Sequence, residues 1–421
     1  MRKHVVIVGG GFAGMNAAKL LGNKADVEVT LVDRKNHHLF QPLLYQVAMA
    51  GLSPAEIAAP IRSLLAKFKN IKVILGSVTD INLASKTVSG DFGDLDYDYL
   101  ILACGAMHSY FGNNQWEPFA PGLKTLEQAT EIRRRILTSF ELAERTTNAK
   151  EQKSLLTFVI VGGGPTGVEL AGAIGEMSRF TLAKDFRNID PKLTRVILVE
   201  AGDRILPAFD PVLSSRAARD LEALGVHVWT QSLVTHVDAH GVKLGEENIE
   251  TKTVLWAAGV EASDLGSGLN MELDSRKRVK VGPDLSIQGH PNVFVAGDQA
   301  HVPDKEGNPL PGIAPVAMQQ GRYLARLILG DLKGLARKNF TYLDKGQMAT
   351  IGRSKAVLES GPIRMKGFMA WMGWLVVHIY YLTGFKNRVF VVANWAWSYL
   401  SFKKGARLVL GKRWRLFNDR E

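Results

Sequence analysis

The sequence predicts an α/β protein: two Rossmann-like dinucleotide-binding domains followed by a C-terminal membrane-associating helical region. Two observations predict the first part and one the second. A glycine-rich strand–turn–helix pattern occurs twice, as HVVIVGGGFAG at residues 4–14 and as FVIVGGGPTG at residues 158–167. Each copy continues into an apolar strand ending in an acid, VEVTLVD at Asp33 and TRVILVE at Glu200. Residues 361–421 instead mix basic residues with tryptophans.

In the first copy, Gly9 permits the tight turn, Gly11 lets the backbone approach a pyrophosphate, and Gly14 allows the helix to pack closely on the strand. Gly162, Gly164 and Gly167 repeat these roles. The helix that follows each turn presents free amides and a partial positive charge to phosphate. Asp33 and Glu200 are placed to accept hydrogen bonds from ribose hydroxyls. A lone GxGxxG carries little weight, but two copies, each framed by strand, helix, strand and acid, predict two nucleotide sites. A carboxylate at Glu200 repels the extra phosphate of NADP and favours NAD, although Arg204 lies four residues on.

Between and after the two copies lie further pieces of the same architecture. YLILACGA at 99–106 is an apolar strand leading to a turn at Gly105, and NVFVAGD at 292–298 is another, ending in Gly297 and Asp298. Asp298 has two readings from the residues alone: a carboxylate reaching a flavin's ribityl or pyrophosphate, or an N-cap for the following helix. The expected domains are an FAD-binding domain at 1–120 and 280–335, an NAD(H)-binding domain at 121–279, and a membrane-anchoring region at 336–421.

The chain has 421 residues, 41 of them glycine, and a net charge of +11. Residues 361–421 hold eleven Lys or Arg against Asp419 and Glu421, a net of +9, so the other 360 residues share +2. Charge so localised, beside five of the eight tryptophans, points to an anionic membrane surface rather than to nucleic acid. The single cysteine, Cys104, rules out a disulfide within the chain and a catalytic dithiol. Met1, Arg2 and Lys3 lead directly into a strand pattern without a signal-peptide core, so the catalytic body is expected in the cytoplasm. The pair His37-His38 has no Cys or acid cluster beside it in sequence, so no metal site is expected.

These segments, in this order, resemble the two-dinucleotide-binding-domain flavoproteins over residues 1 to about 335. Within that superfamily the chain resembles the type II NADH dehydrogenases, the single-subunit, non-proton-pumping NADH:quinone oxidoreductases. Three stretches carry the resemblance: NHHLFQPLLYQVA at 36–48, GGGPTGVELAGAI at 162–174 and APVAMQQG at 314–321. It implies that the first fingerprint binds FAD, the second binds NADH, Gly297-Asp298 closes on the flavin, and Glu169 sits near nicotinamide and flavin. From the residues alone, Glu169 is equally a first-turn acid favouring the helix dipole.

The third stretch resembles a quinone-site motif, Ala-Gln-x-Ala-x-Gln, with Pro315 in place of the first glutamine. Proline donates nothing from side chain or nitrogen. The quinone-site candidates are therefore Ala314, Gln319 and Gln320, with Glu169 and Gln319 as the catalytic pair. A surface position on the helix is the plainer reading of Gln319.

The tail holds two apolar stretches, 367–385 and 389–402, flanked by the basic pairs Arg364 and Lys366, Lys386 and Arg388, and Lys403 and Lys404. The first is at the lower limit for a span and the second is too short. Tryptophan and flanking cations fit helices lying in the interface, and the resemblance implies monotopic attachment. The expected protein is a homodimer on the cytoplasmic face of the cell inner membrane, passing electrons from NADH through FAD to quinone. The alternatives are a soluble-type NAD(P)H:ferredoxin or rubredoxin reductase and a non-catalytic NAD-binding basic scaffold.

Overall fold

The computed structural model describes residues 2–401 and 405–411. The chain forms two compact units. The first comprises Met1–Leu39, Ala58–His108 and Val260–Lys345, the second Phe40–Ile57, Ser109–Gly259 and Gly346–Glu421. The unit boundaries therefore fall at 108/109 and 259/260, where the sequence suggested 120/121 and 279/280. Strand Ala106–His108 pairs antiparallel with Val260–Ala262, and this pairing draws both linker strands into the first unit. Segment 40–57 and the tail from Gly346 belong to the second unit instead of to the flavin domain and a separate anchor.

The first unit is built on a six-stranded sheet, ordered Ser286–Ile287, His290–Val295, Tyr99–Leu102, Lys3–Val8, Val27–Asp33, Ile71–Leu75. All neighbours run parallel except the edge hairpin. Strands covered on both faces read as continuous apolar runs, and Val5, Val6 and Ile7 are fully buried. Helix Phe12–Leu21 crosses helix Ala314–Asp331 at very short range. A Cβ on Gly321 would lie 2.1 Å from the Ala13 carbonyl oxygen, so only glycine lets the two backbones meet. Pro315 occupies the first turn of helix Ala314–Asp331, where a missing N–H costs nothing.

The second unit repeats the theme with a parallel sheet ordered Val226–Trp229, Arg195–Val199, Thr157–Val161, Thr253–Trp256. Helix Leu126–Arg145 begins with a capping box between Thr125 and Gln128, and its Phe140 stacks on Phe158 at 5.5 Å. The antiparallel strands Gln347–Thr350, Ala356–Ser360 and Ile363–Lys366 lead into the tail. Strand Gln347–Thr350 packs on helix Pro165–Glu176, where a Cβ on Gly172 would lie 2.9 Å from the Gly352 nitrogen.

The apolar run 367–385 is not one helix. Helix Gly367–Tyr381 spans 15 residues, and the turn after it contains Gly384 at φ +92° before helix Phe385–Ser401 begins. Fifteen residues reach only about 22 Å, short of the ~30 Å hydrocarbon core of a bilayer. No helix among the described residues is long and apolar enough to cross a membrane. Lys403 and Lys404 lie outside the described residues.

Replacing Gly321 by valine forces the crossing helices apart. The expected result is a loss of about 1–3 kcal/mol or more in stability together with lower flavin content per chain, read by thermal unfolding and by absorbance of the purified protein.

Candidate functional site

Two turns of the same design stand at the carboxyl ends of the two parallel sheets. Gly9 has φ +105°, and a Cβ there would fall 2.3 Å from the Ala103 carbonyl oxygen. Gly162 repeats this at φ +109°, 2.6 Å from the Ala257 carbonyl carbon. Gly14 and Gly167 each lie so close to the preceding turn that a Cβ would meet the carbonyl oxygen of Gly9 or Gly162 at 1.9 Å. Gly11 and Gly164 are the N-caps of their helices, and no side chain caps either end. Around Gly164 a Cβ would meet nothing within 4 Å, and around Gly11 only the Ala103 oxygen at 4.0 Å. Each helix thus offers uncapped amides to open space, which fits a pyrophosphate in both units.

Asp33 and Glu200 bind the glycine turns themselves. Gly10 N–H and Lys35 N–H donate to the two Asp33 oxygens at 2.5 and 2.6 Å. Gly163 N–H and Gly202 N–H donate to Glu200 at 2.6 and 2.7 Å. A carboxylate accepts about four hydrogen bonds, so both acids retain capacity toward a ribose while locking the turn. Burial raises Asp33 above the usual carboxylate range, opposed by these backbone donors. Arg204 donates to the Pro207 carbonyl at 3.1 Å and lies 3.7 Å from Asp203.

Sequence reasoning missed His38. Its Nδ1 is 2.9 Å from the Gly10 carbonyl oxygen, and its ring meets Phe12 edge-on at 5.3 Å. Burial lowers its pKa to about 4, so Nδ1 carries the proton of a neutral imidazole and donates to the turn. Among the described residues no cluster of His, Cys, Asp or Glu has the makings of a metal site. Burial, with Asp33 nearby, pushes the Cys104 thiol up to about 12, which keeps it protonated.

Gly297, Asp298, Gly105, Ala314, Gln319 and Gln320 all fall in the first unit. Asp298 lies inside the short turn Gly297–Gln299, whose N-cap is Ala296, and the helix that follows, Ala314–Asp331, has Ile313 at its N-cap. Gly312 approaches its carboxyl group so closely that a Cβ there would be 3.3 Å from the Asp298 carboxyl carbon. The two glutamines are already engaged. Gln320 is buried and accepts from Gly297 N–H at 2.6 Å, tying the helix to the Gly297 turn. Gln319 pairs with the Leu343 backbone twice, donating at 2.9 Å and accepting at 3.0 Å. Each glutamine therefore has an evident positional job, and Gln319 keeps one N–H and one lone pair for a ligand.

Glu169 lies in the second unit, in the first turn of helix Pro165–Glu176, with the Thr350 backbone N–H hydrogen-bonded to it. Burial pushes its carboxyl up to about 8, against that hydrogen bond. Tyr45, from the short helix Leu44–Ala48, is held far above its ordinary range by burial first and the Glu169 charge second. Its hydroxyl is 3.1 Å from Thr350 Oγ1. Beside these groups, Tyr45, Gln46, Trp371, Trp374, Trp395 and Tyr399 line a cavity of about 110 Å³ opening among the C-terminal helices.

Two glycine turns with uncapped helix ends in one chain suit a pyridine nucleotide-dependent oxidoreductase, and residues 3–321 match the pyridine nucleotide-disulphide oxidoreductase family. Two proteins of Mycobacterium tuberculosis, the type II NADH:quinone oxidoreductases Ndh and NdhA, are 46% and 45% identical to it. Each alignment covers 96% of this chain, with 89% and 88% of the relatives. The chain belongs to the type II NADH:quinone oxidoreductases. The solved structure of NDH2 from Plasmodium falciparum in complex with NADH shares its fold, with a TM-score of 0.89 at 20% identity over 98% of this chain and all of that one.

The Glu169 carboxyl keeps its proton in the folded chain up to about pH 8, whereas its ordinary value is 4.5. Its contribution to stability is therefore fully present below about pH 4.5 and is lost as pH rises through about 8. The loss runs at up to ~1.4 kcal/mol per pH unit across that window. Chemical denaturation between those limits should show the slope in the parent and a flatter curve in Glu169→Gln.

Proposed function

We infer that the chain is a flavin enzyme that oxidises NADH and reduces a quinone without pumping protons. The observation that carries this reading is the pair of uncapped helix ends, each behind an open glycine, at Gly11 and Gly164. Two dinucleotide sites in a chain with one buried, protonated thiol leave no dithiol route. The first turn, with Asp33, Gly105, Gly297 and Asp298, holds FAD; the second, with Glu200, holds NADH. Bound FAD supplies the acceptor that takes a hydride and returns two electrons.

The protein's own groups orient and tune that exchange. Turn amides fix the pyrophosphates, and Asp33 and Glu200 fix the turns while retaining acceptors for ribose. Arg204, occupied with Pro207 and Asp203, is poorly disposed to a 2′-phosphate, which supports NADH over NADPH. Glu169 stores a proton near neutrality, matching the uptake that quinol formation demands. Gln319 supplies the remaining side-chain amide of the quinone motif.

The tail supports the membrane part of the proposal. Helix Gly367–Tyr381 turns Ala370, Trp374 and His378 inward and exposes Phe368, Met369, Val376 and Tyr380. Helix Phe385–Ser401 exposes Val389, Phe390, Val392 and Trp397. These two faces lie in the membrane interface, and the cavity between their inner sides admits an apolar quinone from the lipid. Attachment to the cytoplasmic face and a homodimeric assembly belong to the same proposal.

Purified protein should be yellow and should oxidise NADH in a manner that depends on a short-chain quinone. It should also sediment with phosphatidylglycerol-containing vesicles. A colourless protein without turnover, or activity with ferredoxin in place of quinone, would overturn the enzymatic reading; failure to sediment would overturn the attachment.

A further inference from the structure

The C-terminal helix is fastened to the Glu169 neighbourhood by polar side chains along one face. Trp395 Nε1–H donates to Gln46 Oε1 at 2.7 Å, and Gln46 Nε2–H donates to the Tyr45 hydroxyl at 3.1 Å. Tyr45 meets Thr350 Oγ1, and the Thr350 backbone N–H meets Glu169. Three residues beyond Thr350, Arg353 donates to the carbonyl of Ser398 and to that of Tyr399, the latter at 2.6 Å. Its guanidinium also covers the Tyr399 ring at 5.0 Å. Asn394 completes the attachment by donating to Glu56. The same helix exposes Val389, Phe390, Val392 and Trp397. One helix therefore presents apolar side chains outward and joins the Thr350 segment through two routes inward.

Resting on the functional reading above, we propose that Gln46 is a positioning residue for the quinone half of the reaction. It ties Trp395 to Tyr45 and so holds Thr350 against Glu169, which makes the seating of the C-terminal helix felt at that carboxyl group.

Half-burying an amide such as Gln46 among aromatics is costly unless both its ends are bonded. Here one end takes the tryptophan N–H and the other gives to the tyrosine, so the side chain has a single favourable orientation. Releasing Trp395 leaves Gln46 Oε1 without its donor and frees the pair to rotate. Thr350 is then held through the Arg353 route alone, and its hydrogen bond to Glu169, which favours the charged form, weakens. The carboxyl group must become harder to ionise.

The charged and titratable groups around it are few. Tyr45 belongs to helix Leu44–Ala48, Glu176 lies two turns along the helix of Glu169, and Arg353 lines the same cavity as both. Strand Gln347–Thr350 contributes none. On the neighbouring elements Asp220 is paired with Arg216 and Lys355, Arg195 stacks on Trp229, and His227 is exposed. Of these, Arg353 also bonds the C-terminal helix, at its Ser398 and Tyr399 carbonyls, but it has no hydrogen bond to Tyr45 as Gln46 has.

The test uses FAD-loaded protein with NADH and a short-chain quinone, free and on phosphatidylethanolamine–phosphatidylglycerol vesicles. Trp395→Phe removes the N–H with the pyrrole ring while keeping an aromatic side chain, and Gln46→Leu removes the whole bridge. Both should move the alkaline limb of the quinone-reduction pH profile to higher pH by about half a unit or more, and the double variant should move it no further. An infrared carboxylic-acid band, assigned by its loss in Glu169→Gln, should titrate with the same shift. Melting temperature, flavin content and vesicle sedimentation should stay at parent values in Trp395→Phe. A limb and band unmoved in both variants would overturn the proposal, as would additive shifts. Absence of quinone-dependent turnover in the parent would instead overturn the functional reading.

Discussion

Everything in this protein depends on the closeness of backbone to backbone at two glycine turns. At Gly14 and Gly167 the helix axis comes so near the preceding loop that a methyl group would overlap a carbonyl oxygen. That closeness aims the first turn of each helix past the strand end, with its amides uncapped and no side chain in front of them. Phosphate recognition follows from the arrangement without any cationic side chain. The acids that close each turn, Asp33 and Glu200, take their donors from the backbone of the turn they accompany. Sheet, helix and acid form one unit of chemistry, made twice.

The contact at Gly321 extends the same principle to a second helix. Helix Ala314–Asp331 lies against the first fingerprint helix at backbone range, and Gln320 reaches from it to Gly297. The Gly297 turn and the first fingerprint helix are thereby held by groups distant in sequence. A proline at the start of this helix, in place of a polar residue, leaves that scaffold intact because the first helical position needs no N–H.

The turns were legible in the sequence because what they require is the absence of a side chain, and glycine announces that directly. The sheets were legible because strands covered on both faces need unbroken β-branched runs. Pairs of neighbouring residues were less legible. Gln319 and Gln320 stand about 100° apart around a helix, so one faces the Leu343 backbone and the other the buried Gly297 turn, and a motif match cannot tell them apart. His38 was read only against a metal, whereas its role is a hydrogen bond to a carbonyl 28 positions earlier. Glu169 looked like any first-turn acid. Its perturbation comes from burial, opposed by a hydrogen bond from Thr350, 181 positions later, and no local pattern encodes such an environment.

The tail shows how far a hydropathy argument goes once its geometry is known. Composition gave an apolar run near the length of a span, but the helix stops at Tyr381 and the chain turns at Gly384. What remains is inverted relative to a helix of a water-soluble surface: Trp374 and His378 stack at 4.0 Å on the inner side, with His378 lowered to about 4 by burial. Its outer side shows Phe368, Met369, Val376 and Tyr380 to the surroundings. Leaving such side chains in water forgoes roughly 1.5–3 kcal/mol apiece relative to full burial, so the exposed faces of the two helices together forgo on the order of 10 kcal/mol. Under the proposed attachment, an acyl boundary covering both outer faces recovers much of that free energy. The inner sides of the same helices line a cavity with tryptophan and tyrosine, so under the proposed attachment the face turned to lipid is also the one that gives an apolar acceptor its way in.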